Sequence, residues 1–391
     1  VYVTDLAEAN LTDLTFDGNK STANKSSDLY VDKVGKLTIT AQNEDFTVKN
    51  STYGAGYDAV NLDADEIVMN AKTGKKIDIQ GSAYVGGSGT LNIGTLGETG
   101  NDGEVVFDEL DNNSASLKLA MNEGTLKLGA KTFDNPTRRL SIASLSLNGG
   151  ALDLRNGTAG DILLTKGLNG SGTTQLSVDY DPTVSGIYNM DGVMLASEPT
   201  VSGAPVLQLS AITVLADTPD TGSAFSDMAR YLWSQNNDGQ MDDEHNGTAI
   251  AGVGTNAIGT VINASTGSYN YVFTETSKGL LAVTRTVGYS LPEMISLTGM
   301  AAGKTNTNYS LTDDLKAGVA LGTLANEAVS GTRDATIFLN GYTLNGMDNA
   351  GTTKLAGFTT QDGQKLTIDG SRNEGRFSVM SGFTTALTNA N

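Results

Sequence analysis

The pattern of apolar and polar positions between residues 140 and 179 sets the interpretation of the whole chain. Two apolar residues separated by a single residue recur there, at Leu140/Ile142, Leu145/Leu147, Leu152/Leu154, Ile162/Leu164 and Leu176/Val178. Because side chains alternate across a β-strand, each pair places two apolar side chains on one face of a short strand. Asn-Gly and Gly-Gly steps between the pairs supply the positive φ that tight corners need.

The same alternation extends towards both ends and favours one all-β architecture. Similar pairs stand at Leu37/Ile39, Phe46/Val48, Leu366/Ile368 and Phe377/Val379. A propeller would need a recurring blade signature of about 40 residues, and the sequence has none. A sandwich or barrel needs strands of about five or six residues joined by hairpins. A parallel β-helix tolerates shorter strands and uneven corners, so we predict an all-β fold built as a parallel β-helix (β-solenoid).

The pattern divides the chain into three segments. Residues 1–180 carry the regular strand pairs and are predicted to be β-solenoid rungs. Residues 181–288 are irregular and are predicted to close or cap the solenoid. Within them, apolar residues at helical spacing predict a short helix over 223–235, and two alternating runs predict an antiparallel hairpin over 269–284. Rung-like pairs return in residues 289–391, which we interpret as the start of a second, truncated β-solenoid.

Composition and charge limit the partners. The formal net charge is −19 with a pI near 4.3, which argues against nucleic acid and anionic membrane surfaces, because both select Lys and Arg. No apolar run approaches the roughly 18–20 residues of a membrane-spanning helix, so we expect none in this fragment. The absence of cysteine fits a protein exported across a bacterial envelope. We interpret the chain as a mature fragment of a longer protein.

A calcium loop is the one metal site that the sequence suggests. Asn236, Asp238 and Asp242 match the third, fifth and ninth positions of a twelve-residue calcium loop. The match is poor, because Ser234 and His245 stand where such a loop needs Asp and a bidentate Glu. A solvated acidic loop is therefore the preferred interpretation, and no other cofactor is expected.

A polysaccharide-active site is a second candidate chemistry. Glycosidases need two carboxyl groups about 5–9 Å apart. Asp63 and Asp65 are separated by one residue and therefore share a strand face, whereas adjacent Asp residues, as in Asp242-Asp243 and Asp313-Asp314, point to opposite faces. An outward, solvated pair is the simpler interpretation. Two tyrosines, Tyr53 and Tyr57, could form a small exposed patch, although decoration of a loop is the preferred interpretation.

Several corner-and-strand segments resemble the passenger regions of bacterial autotransporters. LNGSGTTQLSVDYD, from Leu168 to Asp181, resembles a corner and strand near the end of their β-helix. SLNGGALDLRNG, from Ser146 to Gly157, resembles their repeated rung. GYTLNG and LTIDGS resemble the opening rungs of passenger and polymorphic outer-membrane repeats. The resemblance implies a right-handed parallel β-helix exported to the bacterial cell surface.

These observations support three functional hypotheses. The first is a non-enzymatic, secreted surface protein, an autotransporter-passenger-like adhesin or self-associating scaffold, whose partner is a second copy or a ligand on a host or neighbouring cell. The second is a polysaccharide-binding or polysaccharide-degrading β-helix. The third is a structural subunit of a surface layer or fibre.

Overall fold

Strands make up most of the chain that the structure describes. The computed structural model describes residues 1–18, 27–49, 58–86, 89–111, 116–184, 189–216, 225–234, 252–266, 269–287, 289–290, 308–310, 335–339, 343–345, 366–369 and 376–378. Their contacts divide the chain into two units. Unit 1 comprises Val1–Leu215, Met228–Ile262 and Thr274–Ala282, and unit 2 comprises Ala216–Asp227, Asn263–Phe273 and Val283–Asn391.

The strands are short and follow one another closely. The first nineteen are β1 (Tyr2–Thr4), β2 (Glu8–Thr12), β3 (Thr15–Asp17), β4 (Leu29–Ala41), β5 (Phe46–Lys49), β6 (Val60–Ala71), β7 (Lys76–Val85), β8 (Thr90–Ile93), β9 (Glu104–Asp111), β10 (Lys118–Met121), β11 (Thr125–Leu128), β12 (Arg139–Leu147), β13 (Ala151–Asp153), β14 (Ile162–Asn169), β15 (Thr173–Tyr180), β16 (Gly192–Val201), β17 (Val206–Val214), β18 (Phe225–Arg230) and β19 (Leu232–Ser234). The remainder are β20 (Val261–Ser265), β21 (Tyr269–Ser277), β22 (Leu280–Val287), β23 (Tyr289–Ser290), β24 (Asn308–Ser310), β25 (Ala335–Phe338), β26 (Thr343–Asn345), β27 (Leu366–Asp369) and β28 (Arg376–Ser378). Within the described ranges the only helix is a 3₁₀ turn, Ala130–Phe133.

Unit 1 is built around a large parallel sheet whose strands pair in ladders. The first ladder joins β1 to the early parts of β4 and β6 and the late parts of β7 and β9. The second joins β2, β4, β6, β8, β10, β12, β14 and β16. The third joins β3, β5, β7, β9, β11, β13, β15 and β17. This all-β, parallel arrangement confirms the predicted class and is compatible with a β-solenoid.

Columns of aliphatic side chains fill the inside of the ladders. In the second ladder the pairing register aligns five fully buried residues, Leu37, Ile67, Leu91, Leu119 and Leu145. In the third ladder a second buried column consists of Phe46, Ile77, Val105, Leu126, Leu152 and Leu176. The apolar residues identified from the alternating pattern between residues 140 and 179 are buried as predicted, except Leu164, which is half-buried.

Glycines make the corners close enough to stack. Gly150, in the Gly-Gly corner before β13, has a φ of +65°, which an L side chain rarely adopts. Gly172, in the corner before β15, lies so close to the backbone carbonyl of Asn148 in the preceding rung that a Cβ would overlap that oxygen. The first glycine supplies the turn and the second supplies the close approach between rungs.

The helix predicted over residues 223–235 is wrong for the described part of that segment. Residues 225–230 form β18, and residues 232–234 form β19, which pairs in parallel with β16. The N–H of Val193 donates to the carbonyl oxygen of Tyr231 at 2.9 Å. An available strand partner therefore overrides the helical spacing of Ala224, Met228 and Tyr231, because local propensity is a weak prior.

The hairpin predicted over residues 269–284 is confirmed, with its strands at Tyr269–Ser277 and Leu280–Val287. The two strands are neighbours in a four-stranded sheet of order β18-β22-β21-β20. Lys278 and Gly279 form the turn, and Gly279 has a φ of +70°. A two-residue connection between neighbouring strands is compatible only with antiparallel pairing.

Unit 2 also contains short parallel ladders. β23, β24, β25 and β27 pair in parallel, and β26 pairs in parallel with β28. The segment boundaries near residues 180 and 288, and the interpretation of residues 289–391 as the start of a second solenoid, stay predictions.

Candidate functional site

Aromatic, amide and carboxylate side chains form a row on the outside of the first ladder. The pairing register aligns Tyr2, Tyr30, Asn61, Tyr84 and Asp111, one from each successive strand. Tyr30, Asn61 and Tyr84 each lie between two buried neighbours, so the alternation of the strand turns their side chains outward. The parallel register places Tyr2 and Asp111 on the same face. We call these five residues the tyrosine row.

The tyrosine row is accessible at its N-terminal end. Tyr2 is 71% exposed, while Tyr30, Asn61 and Tyr84 are half-buried. The rings of Tyr2 and Tyr30 are stacked, with centroids 5.0 Å apart and planes inclined by 12°. Stacking between rungs fixes the rings, and the phenol groups add polar tips to an apolar surface. The stacked pair of Tyr2 and Tyr30 can therefore contact a partner at a small cost in side-chain entropy.

A second cluster is buried where the chain passes from β13 to β14 and from β15 to β16. Asp161, Asp179 and Asp191 are each at most 1% exposed. The two carboxylate oxygens of Asp191 accept the backbone N–H groups of Asp161 at 2.9 Å and Asp179 at 2.7 Å. One oxygen of Asp179 accepts the N–H groups of Asn156 at 2.8 Å and Gly157 at 2.7 Å. We call these three aspartates the carboxylate corner.

Two arginines flank the carboxylate corner. Arg138 donates to Asp161 and forms an ion pair with it. The Asn156 amide donates to the other oxygen of Asp161 at 2.8 Å. Arg155 binds the neighbouring Asp153 through two hydrogen bonds of 2.8 Å. The hydrogen-bonded oxygens thus accept N–H groups from within the chain. Because these hydrogen bonds join successive rungs, the corner has a structural role.

Burial dominates the titration of the carboxylate corner. It raises the pKa of Asp191 well above the usual value of 3.8, and the nearby carboxylates of Asp161 and Asp179 raise it further, while the two backbone donors oppose the shift. Burial likewise raises the pKa of Asp161 and of Asp179, against the opposing effects of their hydrogen bonds and of Arg138 and Arg155 respectively. The corner therefore binds protons more readily than exposed aspartates do.

A buried tyrosine–glutamate pair lies in the part of unit 1 beyond the ladders. The Tyr231 hydroxyl donates to Glu275 Oε1 at 2.8 Å, and the Gly279 N–H donates to the same oxygen at 2.9 Å. Neither Tyr231 nor Glu275 is more than 1% exposed. Burial raises the pKa of the Tyr231 phenol far above its usual value, and the adjacent Glu275 carboxylate adds to the shift. Tyr231 is thus held as a neutral hydrogen-bond donor.

The residues named from the sequence fall mostly outside the described ranges. This applies to the calcium-loop residues Asn236, Asp238 and Asp242, to His245, and to Tyr53, Tyr57, Asp313 and Asp314. In the described part of the chain, no group of three or more His, Cys, Asp or Glu side chains could hold a metal ion. Across the same residues, no helix is long and apolar enough to cross a membrane.

The carboxyl pair Asp63/Asp65 is described and points outward. Asp63 is half-buried and Asp65 is exposed, and both flank the inward-facing Ala64 on β6. The shared face predicted from their spacing is confirmed, and its outward direction agrees with a solvated pair.

Sequence reasoning missed both the tyrosine row and the carboxylate corner. The members of the row are spaced unevenly because rung length changes, so no fixed period links Tyr2, Tyr30 and Tyr84. Asp161 and Asp191 lie beside Gly, which reads as a solvated turn, and Asp179 stands between Val178 and Tyr180, where the alternation reads as an outward strand position. The sequence held one usable signal for the row, which is a tyrosine directly next to an aliphatic residue that faces inward.

The comparisons with known proteins give no relative. No family model, no curated protein and no solved structure matches this chain.

Proposed function

We propose that this chain is a non-enzymatic surface protein of bacteria, exported to the cell exterior like an autotransporter passenger. The ladders of this proposed protein wind as a right-handed parallel β-helix, which is the form that the sequence resemblance implies. The helix presents an outward face for adhesion to a ligand on another cell or for self-association. The tyrosine row is the observation that carries this proposal.

The ladders of unit 1 supply the physical basis. Each rung pairs its backbone with the next rung, and the buried columns join rungs through their aliphatic side chains. Side chains that face outward therefore hold fixed positions relative to one another over many rungs. Such a scaffold supports binding to a partner with a repeating surface, because several weak contacts act together.

An aggregation and attachment assay tests this proposal. Beads coated with the protein should aggregate or attach to cells, and a triple variant with Tyr2→Ser, Tyr30→Ser and Tyr84→Ser should lose most of that attachment. The matched control is Thr38→Ala with Thr40→Ala, two outward positions on the second ladder, and it should bind as the wild type does. Wild-type beads that neither aggregate nor attach would refute the adhesive function, and an unaffected triple variant would refute the role of the row.

Export is tested separately. In the source cell, the chain should be digested by protease added to intact cells and should be recovered with the surface or secreted fraction. Protection from protease until the cells are lysed would contradict the proposed location.

Polysaccharide binding is the second candidate function, and the composition of the tyrosine row favours it. Phenol rings supply apolar contact, and Asn61 and Asp111 supply hydrogen-bonding groups on the same row. Electrophoresis through gels containing neutral or acidic polysaccharides should retard the wild type and the Thr38/Thr40 control but not the tyrosine variant. Release of shorter saccharides during the same incubation would contradict the non-enzymatic assignment.

The third hypothesis, a structural subunit of a surface layer or fibre, is distinguished by assembly. Ordered filaments or sheets of the purified chain alone, seen by electron microscopy, would favour it over an adhesin.

A further inference from the structure

Three side chains with complementary chemistry meet at a corner between two rungs. Lys72 directly follows β6, and Asn101 lies in the next rung, ahead of β9. The Lys72 Nζ atom is 2.7 Å from Asn101 Oδ1, and Asn101 Nδ2 is 3.4 Å from Glu98 Oε2. Asn101 is 1% exposed, Lys72 is half-buried and Glu98 is exposed.

The chemistry of the partners fixes the orientation of the Asn101 amide. A lysine ammonium group only donates hydrogen bonds, and a carboxylate only accepts them. The amide oxygen therefore faces Lys72, and the amide nitrogen faces Glu98. This places an amine beside a carbonyl group that it polarises, with a carboxylate beside the nitrogen that would leave.

The backbone holds the two rungs together at this corner. The N–H of Gly103 donates to the Ala71 carbonyl and the N–H of Glu104 donates to the Lys75 carbonyl, both at 3.0 Å. The Thr73 hydroxyl also donates to the Asp102 carboxylate across the same gap. Holding two reacting groups at contact distance makes their reaction effectively unimolecular.

We propose that Lys72 and Asn101 form an intramolecular isopeptide bond, with Glu98 protonating the leaving nitrogen of Asn101. The Lys72 Nζ attacks Asn101 Cγ, the Nζ–Cγ bond forms and the Cγ–Nδ2 bond breaks. Lys72 gives one proton to solvent before the attack and a second one after it. Glu98, which lies 3.4 Å from Nδ2, protonates the leaving nitrogen, and the nitrogen of Asn101 leaves as ammonia that solvent protonates to an ammonium ion. The products are one secondary amide and one ammonium ion, so atoms and charge balance without an oxidant or co-substrate.

This bond would join consecutive rungs of a chain that has no cysteine. It closes a covalent loop from the end of β6 to the corner before β9. A cross-link of that kind stabilises the fold mainly by restricting the unfolded chain, as a disulfide does. Formation of the bond does not depend on the proposed surface function.

The intact mass of the purified, folded protein tests the proposal. The expected mass is lower than the sequence mass by one ammonia molecule, and digestion should yield a branched peptide that contains both Lys72 and Asn101. Lys72→Arg and Asn101→Ala should each restore the full mass for their sequence. Lys127→Arg is the matched control, because Lys127 Nζ lies 2.6 Å from a carboxylate, Glu104, and not from an amide; its ammonia loss should persist.

Two outcomes would overturn the bond. One is a wild-type mass equal to the sequence mass in a sample whose circular dichroism shows folded β-structure. The other is an ammonia loss that persists in Lys72→Arg, since the loss would then come from cyclisation of an asparagine elsewhere.

Glu98→Gln tests the proton transfer. In chains isolated unfolded from inclusion bodies, before the bond has formed, the ammonia loss that follows dilution out of urea should appear on the order of a hundredfold more slowly in Glu98→Gln than in the wild type, the usual scale of general acid–base assistance. An unchanged rate would refute the role assigned to Glu98.

Discussion

The aliphatic column of the second ladder and the carboxylate corner are equally buried but are held in different ways. In the column, Leu91, Leu119 and Leu145 pair in register and are fully buried. In the corner, Asp179 and Asp191 are at most 1% exposed, yet their oxygens accept backbone N–H groups. The column is stabilised by removal of apolar surface from water, whereas the corner depends on hydrogen bonds that must offset a large desolvation cost.

This difference separates what stabilises the fold from what sets the stacking register of the rungs. Columns of similar aliphatic residues can slide by one rung with little change in burial, since each rung offers an equivalent partner. The carboxylate corner has no such alternative, because Asp191 needs the N–H groups of Asp161 and Asp179 in one arrangement. We infer that the corner fixes which rung stacks on which, and that the columns supply most of the free energy of unfolding.

Truncation within the column should have the largest effect. Leu119→Ala removes a fully buried side chain that lies between Leu91 and Leu145, and it should lower the free energy of unfolding by about 2–5 kcal/mol. Urea unfolding followed by circular dichroism measures the change. Lys118→Ala, an exposed position on the same strand, should change it by less than about 0.5 kcal/mol. A loss below about 1 kcal/mol at Leu119 would contradict tight packing of the column.

The contrast between the column and the corner also explains which features of the fold could be predicted from the sequence. Alternation of apolar residues marks a strand wherever one face is buried, so pairs such as Leu145/Leu147 and Leu152/Leu154 were placed correctly. The helix expected at residues 223–235 failed because Met228 and Tyr231 have helical spacing, while the strand partner β16 is distant in sequence. The local pattern of apolar residues carries no information about a strand partner that belongs to another rung.

The functional features were hidden for the same reason. A buried aspartate in a Gly- and Asn-rich corner has the same local sequence as a solvated one, and only the rungs above and below decide which it is. The tyrosine row depends on register across rungs of unequal length, which no single stretch of sequence specifies.

The stability of the carboxylate corner should change with pH in the direction opposite to that of aspartates whose pKa is lowered in the folded protein. Asp161, Asp179 and Asp191 have raised pKa values in the folded protein, so the folded state binds more protons than the unfolded state at pH values between 3.8 and the raised pKa values. Their contribution to stability therefore falls as the pH rises through that window and increases on acidification. Each extra bound proton gives a slope of up to about 1.4 kcal/mol per pH unit.

Comparison of the wild type with Asp191→Asn isolates this effect. Urea midpoints measured from neutral pH downwards should rise more steeply in the wild type than in the variant. Asp63→Asn, at an outward position on β6, serves as the control and should keep the wild-type slope. Equal slopes in the wild type and Asp191→Asn would contradict the titration assigned to the corner.

Removal of the Tyr231 hydroxyl, a buried neutral donor, should lower the free energy of unfolding by less than truncation within the column does. It tests how much a buried hydrogen bond adds to apolar burial. Tyr231→Phe keeps the buried ring but removes the hydrogen bond to Glu275, so it should lower the free energy of unfolding by about 1–3 kcal/mol. Tyr2→Phe, whose ring is 71% exposed, should change it by less than about 0.5 kcal/mol. Equal effects of the two substitutions would indicate that the buried hydrogen bond adds nothing to ring packing.

The smallest effect is expected outside the column, at the pair formed by Lys36 and Glu66. Their Nζ and Oε1 atoms are 3.2 Å apart across adjacent strands, but the side chains are 43% and 45% exposed, so water and salt screen the attraction. A double-mutant cycle with Lys36→Ala and Glu66→Ala should give a coupling free energy of about 0.2–1 kcal/mol that declines as salt is added. A coupling free energy as large as the Leu119→Ala effect would contradict the leading contribution assigned to the buried column. It would mean that outward charges, and not the buried column, hold neighbouring rungs together.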